Sequence, residues 1–225
     1  MKALLYKEFK LAMHPMCYVF ITVFPLLILI PKYPIAVGFI YVLSAYPILF
    51  LGANKGQQSN DLLFSTLLPV RKKDIVLARI LTVIIMQVIF ITVMTWFYPL
   101  KVLIANYIPG PASAGIDIDG YVSILAFAII GFAFADLVFF PAYYKNGKSI
   151  LLPTLFTIFG FAIYIMTVTV AIPYIPVIGQ PYVDFFSTSK IWIQFIFLAV
   201  SIVFYALMHI IVYNVSAKRL EKVDF

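Results

Sequence analysis

The chain alternates long apolar runs with short stretches that hold most of its charge. Runs of roughly 20 apolar residues are long enough to cross the ~30 Å hydrocarbon core of a bilayer as helices. The pattern predicts six spans, at residues 16–29, 35–51, 75–98, 121–144, 149–172 and 191–214. We therefore expect an all-α integral membrane protein with six transmembrane helices.

A short amphipathic helix is predicted ahead of the first span, over residues 1–15. Its apolar side holds Met1, Leu5, Phe9 and Met13, and the opposite side holds most of Lys2, Lys7, Lys10 and His14. Pro15 ends the helix, because proline removes a backbone donor and clashes with the preceding turn. Such a segment is expected to lie in the membrane interface with its lysines toward anionic headgroups.

The remaining segments are connections within a single transmembrane domain of residues 1–225. We expect a cytoplasmic connection at 55–74, extracellular loops at 99–120 and 172–190, and a cytoplasmic tail at 215–225. Three prolines, Pro25, Pro47 and Pro141, are predicted to kink their spans. No internal repeat or linker divides the chain into two domains.

The connection at residues 60–79, NDLLFSTLLPVRKKDIVLAR, is longer and more apolar than a helix-to-helix turn requires. Its first part predicts a short helix from Asp61 to Leu68 that Pro69 ends. Asp74 is then placed to cap the third span. One interpretation is an interfacial helix against headgroups; the other is a docking helix whose Phe64 and Leu67 enter a groove on a cytoplasmic partner.

Composition supports a membrane setting, and the placement of charge argues against nucleic acid. The chain is 64% hydrophobic and 11% charged, with a mean hydropathy of +1.06 and a net charge of +7. Most basic residues form four clusters: Lys2, Lys7 and Lys10; Lys55, Arg71, Lys72, Lys73 and Arg79; Lys145 and Lys148; Lys218, Arg219 and Lys222. If these clusters share one side, the positive-inside bias places both termini in the cytoplasm.

Asp136 is the only carboxylate deep inside a predicted span. It lies ~13 Å along the helix from Lys145, which is near the middle of the bilayer. Intramembrane acids usually face a bundle interior or a water-filled path. Both a proton or substrate role and a hydrogen-bonded structural role remain open for Asp136. Gln87, Gln194 and Asn214 are expected to hydrogen-bond between helices.

The chain shows no recognisable catalytic or metal-binding constellation. The GKS of AYYKNGKS, residues 142–149, imitates a phosphate-binding loop, but it lacks the first glycine and follows a membrane helix rather than a strand. The two histidines, His14 and His209, and the single Cys17 supply neither a zinc ligand set nor a nucleophile–base pair. We therefore expect a non-catalytic protein that binds no metal or cofactor itself.

Three stretches resemble the small ABC-2-type transporter permeases. LLPVRKKDIVLAR is similar to that family's motif at a cytoplasmic helix between spans two and three, which couples to an ATPase. FFPAYYKNGKS resembles the family's turn after the fourth span, and MKALLYKEFKL its N-terminal interfacial helix. Within the family, the chain looks most like permeases that export amphipathic peptide toxins such as phenol-soluble modulins, and like related peptide-immunity permeases.

The resemblance implies the membrane subunit of an ABC exporter in a bacterial plasma membrane. Its partners would be the lipid bilayer, ABC ATPase subunits that bind ATP and Mg, a second copy or paralogous permease, and an amphipathic peptide substrate. The implied ATPase-docking residues of the coupling helix are Asp61, Leu62, Leu63, Phe64, Leu67, Leu68, Pro69, Arg71, Lys72 and Lys73. The candidate substrate-cavity residues are Asp136, Pro141, Tyr143 and Tyr144.

Two functions of another class stay open beside the exporter. One is a stand-alone membrane protein that confers immunity by sequestering a toxin. The other is an ion- or proton-coupled carrier that uses Asp136. An exporter subunit is expected to co-purify with an ATPase, whereas a stand-alone protein is not.

Overall fold

The computed structural model describes residues 2–12, 16–29, 70–107, 121–146, 150–168 and 191–222, and these residues form helices and no strand. We number the α-helices in chain order. They are α1 at Lys2–Lys7, α2 at Met16–Val23, α3 at Lys72–Tyr107, α4 at Tyr121–Asn146, α5 at Leu151–Met166 and α6 at Ile191–Glu221. A π-helical turn, Glu8–Ala12, extends α1, and a 3₁₀ turn, Phe24–Leu29, extends α2.

Three of these helices are long and apolar enough to cross a membrane. Their candidate spans are Lys72–Leu100, Leu125–Lys145 and Trp192–Glu221, and they correspond to the third, fourth and sixth predicted spans. The fifth predicted span contains the shorter apolar helix Leu151–Met166. The second predicted span, the coupling helix up to Pro69 and the loop at 172–190 lie outside the described residues. The chain is therefore a multi-pass helical membrane protein.

The N-terminal helix has both exposed and buried lysines. Lys2 and Lys10 are exposed and Leu4 is buried. Lys7, which was expected on the headgroup side, is buried, with its Nζ 3.8 Å from Glu8 Oε1. The reason is that this end of the helix packs on α3, where Glu8 needs cationic partners.

Helix α3 is longer than the hydropathy pattern predicted at both ends. It begins at Lys72 rather than at residue 75, and it continues through Pro99 to Tyr107. Although Pro99 removes one N–H donor and its ring crowds the preceding turn, residues 100–107 contain no glycine or further proline that would stop the helix. The first part of the predicted 99–120 loop is therefore helical.

Helix α6 also extends further than predicted, into the expected tail at 215–225. It continues to Glu221 because Ser216, Ala217 and Leu220 are buried against the bundle. These contacts stabilise the last turns of the helix, which would otherwise be free to fray.

The core forms where α4 packs along both α6 and α5, and where α3 packs against α6 and the two N-terminal helices. Its fully buried aromatic side chains are Phe90, Phe132, Phe139, Phe140 and Tyr144. Gly131 permits the close approach of α5 to α4. A Cβ atom at Gly131 would lie 3.0 Å from Phe161 Cε2 and 3.1 Å from Tyr164 Cε1.

The start of α3 and the ends of α4 and α6 meet at one end of the bundle, which we call the basic end. Lys73 Nζ lies 3.4 Å from Glu221 Oε1, and Arg219 Nη1 donates to the Pro141 carbonyl oxygen at 2.6 Å. Lys145 follows one turn after Pro141 on α4. Members of three basic clusters therefore lie at this end, and Lys7 of the remaining cluster is 3.8 Å from Glu8, which pairs with Arg79 of α3. A shared end is the condition on which the predicted orientation depends.

Candidate functional site

A polar network crosses the apolar interior between three helices, and Asp136 of α4 lies at its centre. The Asp136 side chain is fully buried. Its Oδ2 accepts a hydrogen bond from Gln87 Nε2 of α3 at 2.9 Å and lies 3.0 Å from His209 Nε2 of α6. Gln87 and His209 are themselves buried. A single carboxylate oxygen thus links α4 to both neighbouring spans.

Tyr205 closes this network into a ring of hydrogen bonds. Its hydroxyl donates to Gln87 Oε1, and its backbone carbonyl oxygen lies 2.8 Å from His209 Nδ1. Tyr205 and His209 are one helical turn apart, so both project from the same face of α6. We call Gln87, Asp136, Tyr205 and His209 the midmembrane network.

Gln87, Asp136 and His209 lie at similar distances along their helices from a basic residue of the same helix. Along each helix axis at ~1.5 Å per residue, Gln87 lies ~12 Å from Arg79, Asp136 ~13 Å from Lys145, and His209 ~15 Å from Arg219. Lys145 and Arg219 lie at the basic end, and Arg79 lies about two turns inside it. Gln87, Asp136 and His209 are each near the middle of their candidate spans. The network is therefore near the middle of a ~30 Å hydrocarbon core, where an unmatched polar group is most costly.

Sequence reasoning found half of this network. It singled out Asp136, and it expected Gln87 to bond between helices, which the contacts to α4 and α6 confirm. It considered His209 only as a metal ligand or catalytic base, and it did not consider Tyr205. His209 could have been recognised as a partner of Asp136, because it is an ionisable residue within an apolar run and intramembrane ionisable groups usually pair with one another.

The other three candidate cavity residues lie closer to the basic end and belong to the aromatic core. Pro141, Tyr143 and Tyr144 are all buried. The Tyr143 ring stacks on Phe139 with centroids 5.9 Å apart, and the Tyr144 ring stacks on Phe140 at 6.4 Å. Asp136 instead bonds to α3 and α6. In this conformation the four residues form two adjoining parts of a packed interior, and their role in a cavity stays a prediction.

The described part of the docking segment begins at Val70. Arg71 is exposed, and its Nε donates to Asp74 Oδ2 at 3.1 Å. Asp74 lies in the first turn of α3, where a carboxylate stabilises the positive end of the helix dipole. Lys73 pairs with Glu221 of α6, and Lys72 is the first residue of α3. The docking role of these residues remains a prediction.

A buried ion pair fastens the N-terminal segment to α3. Arg79 Nε donates to Glu8 Oε2 at 2.7 Å, and Arg79 Nη2 donates to Glu8 Oε1 at 3.0 Å. The two side chains are 8% and 6% exposed, and this bidentate geometry is the strongest form of such a contact. We call this pair the Glu8–Arg79 clamp. It fixes the N-terminal segment to α3 about two turns from the start of that helix.

Comparison with known proteins gives one family match. A family model described as an ABC-2 family transporter protein matches residues 3–218, which includes every described helix apart from the ends of α1 and α6. No curated protein and no solved structure matches the chain.

Proposed function

The chain belongs to the ABC-2 family of transporter proteins, and from this premise we propose that it is the membrane subunit of an ABC exporter driven by a separate ATPase. The observation that carries the proposal is the family match over residues 3–218. It is supported by three helices long and apolar enough to span a bilayer.

We place the site of force transmission at the segment that precedes α3. Residues 61–69 would dock on the ATPase, with Phe64 and Leu67 entering an apolar groove. Any displacement of this segment would act on α3 directly, because only Val70 and Arg71 separate the two. ATP-driven closure of the ATPase dimer would then move the spans that line the transport path.

The contacts of α3 support a wider transmission of this displacement. The Glu8–Arg79 clamp connects α3 to the N-terminal segment, and the Lys73–Glu221 pair connects it to the end of α6. Deeper in the bundle, Gln87 connects α3 to α4 and α6. Displacement of the start of α3 would therefore also move the N-terminal segment, α4 and α6.

We propose an assembly and an orientation on the same basis. A separate ATPase would bind ATP and Mg, and a complete transporter would need a second copy or a paralogous permease. We propose that the basic end faces the cytoplasm of a bacterial plasma membrane, in line with the positive-inside bias.

For the substrate, we propose an amphipathic peptide, on the basis of the resemblance to peptide-exporting permeases. Asp136 was the candidate contact for a cationic peptide. Its Oδ2 is occupied by Gln87 and His209 in the described conformation. Contact between Asp136 and a peptide would therefore need α3, α4 and α6 to separate near the middle of the membrane.

The test is transport by the full chain reconstituted in liposomes with the ATPase that co-purifies with it. A fluorescent cationic amphipathic peptide serves as the probe, and uptake into inside-out vesicles is followed with and without ATP. We expect ATP-dependent uptake that Phe64→Asp abolishes. The matched control, Phe225→Asp, makes the same chemical change at the end of the chain and should transport normally.

Two outcomes count against this function. ATP-independent uptake would favour a carrier, and unchanged transport by Phe64→Asp would remove the coupling role of the docking segment.

A further inference from the structure

Helix α6 has one face that stays exposed over most of its length in the part of the chain that the structure describes. Residues spaced three or four apart lie on one side of a helix. Seven exposed residues with this spacing form what we call the outer face of α6: Val200, Val203, Leu207, Ile211, Asn214, Lys218 and, in the turn that ends the helix, Lys222. The buried side chains of His209, Val212 and Ser216 lie on the opposite side, where His209 contacts α4.

The chemistry of the outer face changes with depth in the membrane. Its first four residues are apolar. Asn214, which was expected to hydrogen-bond between helices, is exposed here, and Lys218 and Lys222 follow it. By helical rise, Lys218 and Lys222 lie ~14 and ~20 Å from His209, which is near the middle of the membrane. The hydrocarbon core ends ~15 Å from the middle and the headgroups reach ~20–22 Å. The two ammonium groups therefore lie at the level of the lipid phosphates.

The other charged residues described at this end of α6 have partners on neighbouring helices. Glu221 lies beside the outer face, and its Oε1 is 3.4 Å from Lys73 Nζ of α3, so its charge is offset by a lysine of another helix. Arg219 projects to the opposite side, where its Nη1 donates to the Pro141 carbonyl oxygen of α4. The positive charge on the outer face therefore comes from its own two lysines.

We propose that the outer face of α6 is a binding site for an anionic phospholipid. The phosphate lies between Lys218 and Lys222, which donate charge-assisted hydrogen bonds to it, and an acyl chain lies along Leu207 and Ile211. This occupant matches both parts of the face, whereas an acidic segment of a soluble protein would match only the lysines. The site binds lipid whether or not the chain works with an ATPase, so its test needs no transport measurement.

The test measures which lipid lies against the outer face, with one tryptophan as a local reporter. Trp96→Phe/Trp192→Phe removes the two native tryptophans, both of which are exposed. Ile211→Trp then places a single tryptophan on the outer face, and the full chain is reconstituted in vesicles of dioleoylphosphatidylcholine. A fixed fraction of this lipid is replaced by dibrominated phosphatidylglycerol or, in parallel, by dibrominated phosphatidylcholine, because bromine quenches tryptophan fluorescence at short range.

Phe159→Trp, in the same background, gives a reference reporter on α5. Phe159 is exposed, and the adjacent Gly160 lies beside Val138 of α4, two residues from Asp136, so this reporter has a similar depth. One lysine near an anionic headgroup favours binding by about fivefold. With two lysines, we expect the outer face to prefer phosphatidylglycerol over phosphatidylcholine by roughly 5- to 25-fold, more than the α5 reporter does.

Substitution of the lysines identifies the source of this preference. Lys218→Gln/Lys222→Gln should abolish it at the α6 reporter and leave the α5 reporter unchanged, whereas Lys218→Arg/Lys222→Arg, which keeps both charges, should retain it. Lys101→Gln/Lys190→Gln makes the same change of net charge near the other ends of α3 and α6 and should also retain it.

Three results would overturn the proposal. Equal quenching by the two lipids would leave the lysines only the role of stabilising the negative end of the helix dipole, which needs no bound lipid. Quenching by neither lipid would show that protein covers the outer face. A preference that persists in Lys218→Gln/Lys222→Gln would place the anionic lipid at another site.

Discussion

Removing one member of the Glu8–Arg79 clamp should strongly destabilise the protein, while removing both should cost much less. In Glu8→Met, the Arg79 guanidinium loses both carboxylate oxygens, at 2.7 and 3.0 Å. Arg79 is 7% exposed and cannot regain full hydration without moving the N-terminal segment. Breaking a buried ion pair costs ~3–5 kcal/mol, and we expect about 3 kcal/mol because the clamp is near the membrane surface. This corresponds to roughly a hundredfold change in the unfolding equilibrium.

The double variant Glu8→Met/Arg79→Met tests whether the loss of stability comes from an unmatched charge rather than from lost packing. Met has a straight side chain that can replace the stems of both residues. Exchanging a buried ion pair for apolar residues of similar size is typically near neutral, so Glu8→Met/Arg79→Met should cost clearly less than either single change, with a remaining loss of about 1 kcal/mol because Lys7, 3.8 Å from Glu8 Oε1, also loses this carboxylate. Lys73→Met/Glu221→Met is the matched control. Those side chains are 54% and 46% exposed, and each single change should cost no more than about 1 kcal/mol.

The assay is equilibrium unfolding in mixed micelles, in which SDS is titrated and the helix signal is followed by circular dichroism. The free energies of unfolding of the wild type, Glu8→Met, Arg79→Met and the double variant form a double-mutant cycle. The reasoning is refuted if Glu8→Met costs no more than Lys73→Met. It is also refuted if the double variant costs the sum of the two single changes, because an unmatched buried charge could not then be the cause.

Three further changes test packing inside the bundle with the same unfolding assay. Gly131→Ala should destabilise the protein by about 1 kcal/mol, because its Cβ atom would lie 3.0 Å from an aromatic carbon. Gly160→Ala, whose Cβ atom would lie 3.8 Å from its nearest neighbour, should be neutral or stabilising. Equal effects of the two changes would contradict the close approach of α5 to α4. Tyr164→Phe removes the 2.8 Å bond from its hydroxyl to an α4 carbonyl and should cost ~0.5–1.5 kcal/mol; no measurable loss would argue against that bond. His209→Leu leaves Asp136 without its imidazole partner and should cost ~1–3 kcal/mol, and a stability equal to that of the wild type would show that the contact contributes nothing.

Hydropathy predicted the third, fourth and sixth spans, which the structure confirms, because the cost of burying polar groups in a membrane is set mainly by local sequence. The start of α4 at Tyr121 and of α6 at Ile191 agree with the predicted spans. The predictions were wrong where tertiary packing extends a helix. Leu220 is fully buried beyond the predicted end of the sixth span, and the apolar pattern of the span itself carries no information about that contact.

The midmembrane network shows a different limit. Asp136 could be singled out because a lone carboxylate in an apolar span is costly. Its partners could not be assigned, since Gln87 and His209 are 49 and 73 residues away along the chain. Their pairing depends on how each helix is rotated about its axis, and helices that are apolar on nearly every face give no preferred direction.

We propose that this chain is a membrane subunit driven by a separate ABC ATPase through the segment before α3. The most direct measurement is affinity purification of the full chain from its native membrane, followed by identification and quantification of the proteins that remain bound. We expect an ABC ATPase in about equal amount to the wild-type chain. Phe64→Asp should lose this ATPase, and Phe225→Asp should retain it. Purification of the intact chain with no ATPase, or an ATPase that Phe64→Asp retains in full, would contradict it.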